Sequence, residues 1–416
     1  MKRFYILTFC LAIYSATLFS QDEEKKAPTV KVSGWVNAET MYDTRQTVAS
    51  REGEILLYPT PVKEDANGDD INGTSRWNML SFMSRVRLDA SEMEAFGAKT
   101  TAKIEVDFLG TGNDFVNMIR MRHAFVNMKW DKTELLFGQY WHPMFVPECY
   151  PQVFVQGAAV TMNPLNRSPQ IRFTYHLTNE LSVLGAMLTQ QYHKDIQGSD
   201  VARNSGRPEI QFQLMYKSDF ITSGITGGYH WIRPRMVTDS NIVADELLGA
   251  YNMNAFVKVK TGDLTVKLEG VYGQNLSRFV MLGGYGVSEV EAATDQRTYS
   301  NVVTGSIWNE IIYSKKSYEI GLFTGLSKNF GTADDIVSSI YMRGYSKNSI
   351  GDNSKNDINY LFNIIPRVAF MSGKMKFGAE VIYMNAAYGT ANSKLQVEDT
   401  EAAENFRFLF SVYRYF

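Results

Sequence analysis

Charged side chains in this sequence occur in pairs two residues apart, a spacing that places both members of a pair on the same face of a β-strand. Guanidinium groups bind carboxylates and phosphates strongly, and a row of them in a confined space attracts anions. Arginine pairs that flank a pair of acids could therefore select or bind small anionic solutes. The pairs are Arg85 and Arg87, Glu105 and Asp107, and Arg120 and Arg122.

Two further arginines and one further acid extend this set. Arg172 falls on the polar face of a later predicted strand, and Arg167 lies at the end of a long connecting segment. Glu39, on the first predicted strand, adds negative charge to that of Glu105 and Asp107. Two compatible interpretations remain open: the arginines set an anion preference, or they form ion pairs that brace neighbouring strands.

The stretches that must position these charges alternate apolar and polar residues. In residues 98–108 the apolar positions are even-numbered, whereas Glu105 and Asp107 lie on the opposite face. Turning a charged face toward lipid would cost about 2–4 kcal/mol for each arginine at mid-membrane, so we predict that the charged faces line a lumen. In residues 80–90 the predicted outer face holds Leu80, Phe82, Val86 and Leu88, and the inner face holds Met83, Arg85, Arg87 and Asp89.

Repetition of this pattern predicts an all-β fold, a transmembrane antiparallel β-barrel of about sixteen strands. Segment 336–346 could form a seventeenth strand, but an odd number would place the chain ends on opposite sides of the membrane, so we assign it to a loop. The predicted strands are 30–42, 80–90, 98–108, 119–130, 133–141, 169–176, 181–191, 209–218, 224–233, 249–259, 263–273, 300–314, 318–327, 357–370, 375–388 and 404–416.

The predicted connections alternate between short and long. A water-soluble sandwich would show the same alternation within strands, but tight turns on one rim and long loops on the other are typical of outer-membrane barrels. The turns are 131–132, 177–180, 261–262, 315–317 and 371–374, and the long connections are 43–76, 142–168, 192–208, 274–299 and 329–356.

Segment 142–168 is too long and too apolar for a loop that is exposed to water. Between its prolines it contains Phe145, Phe154 and Val160. We expect this segment to fold inward after the fifth strand and to narrow the channel, with Arg167 near the narrowest point. The alternative is a loop that packs on a neighbouring copy of the chain.

The first residues have the pattern of a secretory signal peptide. A basic start precedes an apolar run that ends near Phe19 and is too short to span a membrane as a helix. We therefore predict a signal peptide at 1–20, cleaved after Ser20, and a short disordered lead at 21–29. The barrel then occupies 30–416.

The last eleven residues, 406–416, read as a strand with an oily face and a more polar one. Phe408 and Phe410 belong to the first face, and Arg407 and Tyr413 to the second. An unprotected edge strand invites pairing with other chains, whereas a strand that closes a barrel has no free edge. This ending resembles the closing strand of bacterial outer-membrane barrels, in which a terminal aromatic residue is part of the assembly signal.

The overall charge excludes a polybasic nucleic-acid binder, because 42 basic and 44 acidic residues give a formal net charge of −2. We predict no metal and no cofactor. Residues 65–70 resemble the start of a calcium loop, but Asp70 stands where glycine is required and Arg76 where glutamate is required. The five histidines have no ligand spacing, and Cys149 is predicted to be a buried loop residue rather than a nucleophile.

Six short motifs form a recognisable series: Val-Ser-Gly-Trp-Val (32–36), Leu-Tyr-Pro (57–59), Ser-Arg-Val-Arg (84–87), Lys-Ile-Glu-Val-Asp-Phe-Leu-Gly-Thr-Gly (103–112), Arg-Met-Arg-His-Ala-Phe (120–125) and Phe-Gly-Gln (137–139). Across 31–140 the chain resembles the DcaP-like porin family. This resemblance implies a trimeric, sixteen-stranded outer-membrane channel for small, often anionic solutes. It assigns the constriction to Arg85, Arg87, Arg120 and Arg122. The lead is too short for the N-terminal coiled coil that some members carry.

The sequence thus predicts a passive porin of the bacterial outer membrane rather than an enzyme. Its expected partners are outer-membrane lipid, small hydrophilic and preferentially anionic solutes, and two further copies of the chain in a homotrimer, with no nucleic acid. Two alternatives remain: a channel specific for phosphate or dicarboxylates, in which the arginines form a binding ladder, and a plugged structural or adhesive barrel.

Overall fold

The computed structural model describes residues 29–191, 193–345 and 355–416. The predicted signal peptide and residues 21–28 of the predicted lead lie outside this range, and Thr29 already belongs to the first strand. No helix among the described residues is long and apolar enough to cross a membrane. Helical structure in the described ranges consists of Asp200–Arg203 (α1) and the short 3₁₀ turns Ile71–Gly73, Asn113–Phe115 and Leu276–Phe279.

Sixteen strands of the described chain form the wall of a closed antiparallel barrel, and five shorter strands lie at its rim. The wall strands are Thr29–Asp43 (β1), Arg85–Ala95 (β5), Ala98–Asp107 (β6), Arg120–Lys129 (β7), Thr133–Trp141 (β8), Arg167–His176 (β9), Leu181–Leu188 (β10), Glu209–Lys217 (β11), Ile221–Ile232 (β12), Leu248–Thr261 (β13), Leu264–Gln274 (β14), Arg297–Ser314 (β16), Tyr318–Thr332 (β17), Asp357–Ser372 (β19), Met375–Ala391 (β20) and Val397–Tyr415 (β21). The rim strands are Thr47–Ser50 (β2), Ile55–Pro59 (β3), Arg76–Leu80 (β4), Gly283–Val290 (β15) and Ile340–Arg343 (β18).

Strand β1 closes the barrel by pairing with the strands on both of its sides. Trp35 lies opposite Arg85 of β5 and also opposite Tyr415 of β21. A closed wall of this kind leaves no exposed edge for aggregation. The predicted sixteen-strand antiparallel barrel is therefore confirmed. Segment 336–346 adds no seventeenth wall strand, but it is not entirely a loop: its residues Ile340–Arg343 form β18, which pairs with the rim strand β15.

Side chains along the wall alternate between an apolar outer face and a polar inner face, as strand geometry requires. On β1, Val36 is 58% exposed, whereas the neighbouring Asn37 is buried. On β21, Phe408 is 50% exposed and Arg407 is buried. The predicted faces of the first and last strands are therefore confirmed.

The wall has an uneven height. Strands β7 to β11, which we call the low wall, contain 8 to 10 residues. Strands β16, β17, β19, β20 and β21, which we call the high wall, contain 15 to 19 residues. The segment 142–166 leaves β8 and returns through β9, so it starts and ends on the low side of the barrel.

The predicted outer face of residues 80–90 is wrong at its first two positions. Leu80 and Phe82 are buried, although Leu88 on the same predicted face is exposed. The cause is an irregularity between β4 and β5. Leu80 pairs with Glu39 and Arg85 pairs with Trp35, so a step of five residues opposes a step of four on β1. An extra residue of this kind reverses the alternation of faces.

The interior contains a large apolar cluster. Phe145, Phe154 and Met162 from segment 142–166 are buried in it, together with the inward-facing Trp308 and Phe323 of the high wall. Burial of aromatic side chains on both sides of this contact supplies a substantial hydrophobic contribution to its stability. The segment therefore packs against the inner surface of strands on the other side of the barrel.

We expect Arg407→Leu to lower the free energy of unfolding by about 3–5 kcal/mol, because it leaves a buried carboxylate without its partner. Arg407 donates hydrogen bonds from Nε and Nη2 to Asp43 at 2.9 and 2.7 Å across the β1–β21 junction. The measurement is chemical unfolding of the refolded barrel in detergent. The exposed pair of Lys315 and Asp263 provides the control, since Lys315→Gln should change stability little. Equal effects of the two substitutions would contradict the prediction.

Candidate functional site

Three neighbouring strands, β5, β6 and β7, bring the predicted charges together on the inner face of the barrel. Strand β6 lies in the middle and carries Glu105 and Asp107. In the strand register, Arg87 of β5 lies opposite Glu105, and Arg120 of β7 lies opposite Asp107. Both acids are thus enclosed between arginines from the two adjacent strands.

A bulge in β7 adds one more guanidinium to this arrangement. Glu105 pairs with His123 and the next residue, Val106, pairs with Met121, so Arg122 is the extra residue. Arg122 and His123 are consequently both buried on the inner side, whereas Met121 is exposed. Bulges often redirect side chains near functional sites, and this one allows Arg122 to reach both acids.

Asp107 is held by two arginines. Arg120 donates from Nε and Nη2 to its two carboxylate oxygens at 2.9 and 2.6 Å, and Arg122 donates from Nη1 at 2.9 Å. All three side chains are almost completely buried. Bidentate pairing of this kind is the strongest and most directional form of the arginine–carboxylate interaction.

Glu105 is shared by three arginines. Arg122 donates from Nε at 2.7 Å, and Arg87 donates from Nε and Nη2 to a single oxygen at 3.0 and 2.7 Å. Arg85 lies 3.5 Å from the other oxygen and stacks on the Trp35 ring, with 4.3 Å between its guanidinium carbon and the ring centroid. The bracing ion pairs that the sequence suggested are therefore present.

These contacts leave an excess of positive charge. Four arginines surround two carboxylates, so the cluster carries a formal charge of about +2 when all groups are ionised. About one third of the Arg87 side chain is accessible, whereas the side chains of Arg120 and Arg122 are almost completely buried. A mobile anion would therefore meet Arg87 and Arg85 rather than Arg120.

The three remaining predicted residues occupy different surroundings. Arg167, on β9, lies over the Trp141 ring at 4.9 Å. Arg172 donates to the side chain of Gln170 and to the Trp141 carbonyl oxygen, both of which are neutral groups. The Glu39 carboxylate accepts hydrogen bonds from Asn37, Ser411 and Tyr413 at 2.7–3.1 Å and is not paired with the arginines of β5 and β7.

A cavity of about 550 Å³ borders the arginine cluster. Its lining includes Arg85, Arg87 and Arg122, together with Arg167, but not Arg172 or Glu39. Sequence reasoning missed several members of the lining, although each of them lies in a predicted strand. They are Trp35 on β1, Lys103 on β6, Lys376 on β20, and Tyr413 and Tyr415 on β21.

Segment 142–166 is tethered to inward-facing acids of the high wall. Glu310 accepts hydrogen bonds at 3.0 Å from the backbone N–H of Gln152, and Glu380 accepts from those of Phe154 and Val155 at 2.7 and 2.9 Å. Both carboxylates are buried. Because charged acceptors form the stronger hydrogen bonds, these contacts fix the backbone of residues 152–155.

Lysines of β13 and β14 hold the preceding carbonyl groups. Lys258 donates to the Glu148 carbonyl oxygen and Lys267 to that of Tyr150, each at 2.8 Å. Lys267 also lies 2.8 Å from the Glu310 carboxylate. Acids therefore hold amide groups and lysines hold carbonyl groups along one stretch, and this stretch forms one boundary of the cavity.

The candidates for metal or nucleophilic chemistry have structural roles. Asp65 accepts hydrogen bonds from the backbone of Asp69 and Asn67, which hold the pKa of its carboxyl below the usual value. Asp70 pairs with Arg45 at 2.8 Å. Cys149 is buried against the Val257 carbonyl. Within the described residues, no group of three or more histidine, cysteine or acidic side chains is arranged to hold a metal ion.

Solved structures share this architecture. The outer membrane channel DcaP of Acinetobacter baumannii has a TM-score of 0.66 and 12% identity, over 96% of this chain and 100% of that one. An anion-selective porin from Comamonas acidovorans has a TM-score of 0.55 and 10% identity, over 94% and 100%. The trimer form of in-vitro folded OmpT, an outer membrane protein of Vibrio cholerae, has a TM-score of 0.51 and 9% identity, over 94% and 100%.

No protein-family profile matches the sequence, and no curated protein matches it either. The likeness to solved structures therefore concerns the fold, and at that level the resemblance to DcaP that the sequence motifs indicated is confirmed.

We expect Glu105→Gln to lower the free energy of unfolding by about 3–5 kcal/mol, because three arginines lose their shared carboxylate. Adding Arg87→Gln should recover part of this loss by removing one uncompensated charge. Chemical unfolding of the single and double variants measures both effects. Glu401→Gln, which alters an exposed acid on β21, is the control. A double variant less stable than Glu105→Gln alone would refute the ion-pair account.

Proposed function

We propose that this protein is a porin of the bacterial outer membrane, a passive channel for small hydrophilic and preferentially anionic solutes. The observation that carries the proposal is the surplus of guanidinium groups on the inner face of β5 to β7, next to a cavity inside a closed barrel. The anion-selective porin of Comamonas acidovorans shares this barrel and supports the same assignment.

The outer surface supports the location in a membrane. Residues such as Val36, Ile104, Phe212 and Phe408 are exposed, although they are apolar and lie on the outer face of the wall. An apolar surface that extends around a barrel would cause aggregation in water, whereas lipid accommodates it. In this proposal residues 1–20 are a signal peptide that is cleaved during export, residues 21–28 are a short lead, and the barrel begins at Thr29.

The charge preference is assigned to the basic groups that line the cavity. At about 8 Å from a permeating ion, one charge in a water-filled lumen contributes about 0.5 kcal/mol, which corresponds to a factor of about two in relative occupancy. Arg85, Arg87, Lys103 and Lys376 would each act in this way. The paired Arg120 and Arg122 contribute less, because Asp107 and Glu105 offset their charge.

We assign the size limit to segment 142–166, the constriction loop of this proposal. Its tethers to Glu310 and Glu380 hold residues 152–155 beside the cavity, and Arg167 at its far end lines the same space. Because its backbone is fixed, this segment would narrow the lumen by a constant amount and would not move across it to close it.

We extend the proposal to a homotrimer. The trimer form of Vibrio cholerae OmpT shares the fold, and the low wall at β7 to β11 offers a side on which copies could approach closely. Met118 and Ile119, at the rim beside β7, are exposed apolar residues that such a contact would cover.

One observation favours a second candidate, the plugged structural or adhesive barrel. The apolar cluster around Phe145 and Phe154 occupies part of the interior. Reconstitution of the purified protein in a planar bilayer separates the two functions: a channel conducts and shows a reversal potential biased toward anions, whereas a plugged barrel does not conduct. Saturable block by phosphate or succinate would indicate the solute-specific form of the channel.

Neutralising two cavity residues together, Arg87→Gln with Lys376→Gln, should reduce the anion-to-cation permeability ratio by about fourfold, because each removed charge accounts for a factor of about two. Reversal potentials in a salt gradient measure the ratio. Arg120→Gln should change it less, and Lys63→Gln at an exposed loop should leave it unchanged. A double variant with the selectivity of the original protein would exclude these residues as the selectivity determinant.

Glu380→Gln should loosen the constriction loop, because the Phe154 and Val155 N–H groups donate to different oxygens of the carboxylate, and the amide replaces one of these oxygens with an NH2 group that cannot accept. We expect a larger or noisier single-channel current in planar bilayers. Glu404→Gln, on the outer face of β21, is the matched control and should behave like the original protein. Unchanged current in the folded Glu380→Gln variant would contradict the assigned tether.

A further inference from the structure

The cavity combines two kinds of side chain that a general anion filter does not require together. Its basic residues outnumber its acidic ones by six to two, the acids being Glu105 and Glu319. Its other large side chains are mostly aromatic. The basic residues are Arg85, Arg87, Lys103, Arg122, Arg167 and Lys376.

One aromatic cluster comes from the β1–β21 junction. The centroids of Trp35 and Tyr415 are 6.0 Å apart in an edge-to-face arrangement, and those of Tyr413 and Tyr415 are 6.2 Å apart and nearly parallel. Tyr415 is 37% exposed, so part of its surface remains available to a further ring. Such geometries are the ones in which aromatic rings attract each other.

A second cluster comes from the start of the constriction loop. Trp141 and Phe145 are stacked with 3.9 Å between their centroids, and Tyr150 continues this stack at 5.4 Å from Phe145. Tyr150 also keeps 37% of its surface exposed. Both clusters line the same cavity, and each ends in a tyrosine with accessible surface.

Positive groups lie beside these rings. Arg85 lies over Trp35 at 4.3 Å, and Lys376 lies over Phe154 at 4.9 Å. Arg87 uses Nε and Nη2 to bind Glu105, and about a third of its side chain is accessible from the cavity. An incoming carboxylate could therefore bind Arg87 while its attached group meets the aromatic side chains.

We propose that this cavity is a binding site for aromatic carboxylates, in which the guanidinium of Arg87 binds the carboxylate and the accessible faces of Tyr415 and Tyr150 hold the ring. The inference rests on the proposed function for the path by which a solute enters. A volume of about 550 Å³ lies within the usual range for small-ligand sites and holds a single-ring acid with its water.

The aromatic lining distinguishes this solute class from phosphate and short aliphatic acids. Phosphate and short aliphatic acids are stabilised by positively charged groups and hydrogen-bond donors. Aromatic side chains would remove water from these anions without replacing the lost hydrogen bonds. An aromatic carboxylate loses little by entering, because its ring packs on rings and its charge meets Arg87, Lys103 and Lys376.

The test is isothermal titration calorimetry of the full chain in detergent micelles with benzoate, cyclohexanecarboxylate and inorganic phosphate. The first two acids have similar size and the same charge, but only benzoate has an aromatic ring. We expect benzoate to bind about three- to tenfold more tightly than cyclohexanecarboxylate. Equal affinity for these two acids, or tighter binding of phosphate, would overturn the proposal.

Two variants and a control locate the site. Tyr415→Leu should weaken benzoate binding by about three- to tenfold and leave cyclohexanecarboxylate binding nearly unchanged. Arg87→Gln should weaken the binding of both acids. Tyr42→Leu alters a tyrosine on the outer face of β1 and should have no effect. A folded Tyr415→Leu protein, judged by its far-ultraviolet circular dichroism, that binds benzoate as before would refute the role of the rings.

The calorimetry and the bilayer measurement fail independently. Benzoate binding by a protein that does not conduct supports the site and refutes the proposed channel. Conductance with anion bias but without a preference for benzoate supports the channel and refutes the site.

Discussion

The interior of this barrel depends on buried carboxylates, each of which is held by several donors. Asp107 and Glu105 join β5, β6 and β7 through four arginines, Asp43 joins β1 to β21 through Arg407, and Glu380 fixes segment 142–166 through backbone amides. A buried charge without partners is costly, so each acid restricts the positions of the groups around it. Buried acids therefore fix both the pairing of wall strands and the position of the segment that lies inside the barrel.

The two-residue period was sufficient to predict the fold, because along each wall strand apolar side chains on the outer face alternate with polar side chains on the inner face. All sixteen wall strands overlap predicted ranges. The errors arise where the backbone departs from regular pairing. Leu80 and Phe82 were placed on the outer face because a periodic argument has no means of locating the extra residue between β4 and β5. The bulge at Arg122 caused no such error. The alternation of faces changes only between Arg122 and His123, so Arg120 and Arg122 share a face as predicted.

The site could be predicted only within neighbouring strands. Arg85, Arg87, Glu105 and Asp107 are close in sequence, and their shared face follows from alternation. Closure of the barrel and the path of segment 142–166 add groups from distant parts of the chain, such as Lys376 and Tyr415. Sequence spacing does not indicate which strands face each other across a lumen. Glu39 shows the converse limit: its face was correct, but its partners are Ser411 and Tyr413 rather than arginines.

The arginines of the cluster differ in how completely they are paired with carboxylates, and this difference separates the residues of the wall from those that the cavity exposes. Asp107 and Arg120 satisfy each other and are almost fully buried, so they act as part of the wall. Arg87 shares Glu105 with two other arginines and remains partly accessible, so its charge is only partly offset. Because the cluster contains more arginines than carboxylates, the ion pairs that join the strands also leave a surface of net positive charge, which attracts anions. In the channel that we propose, an anion would contact Arg87 without disrupting the Asp107–Arg120 pair, which joins β6 to β7.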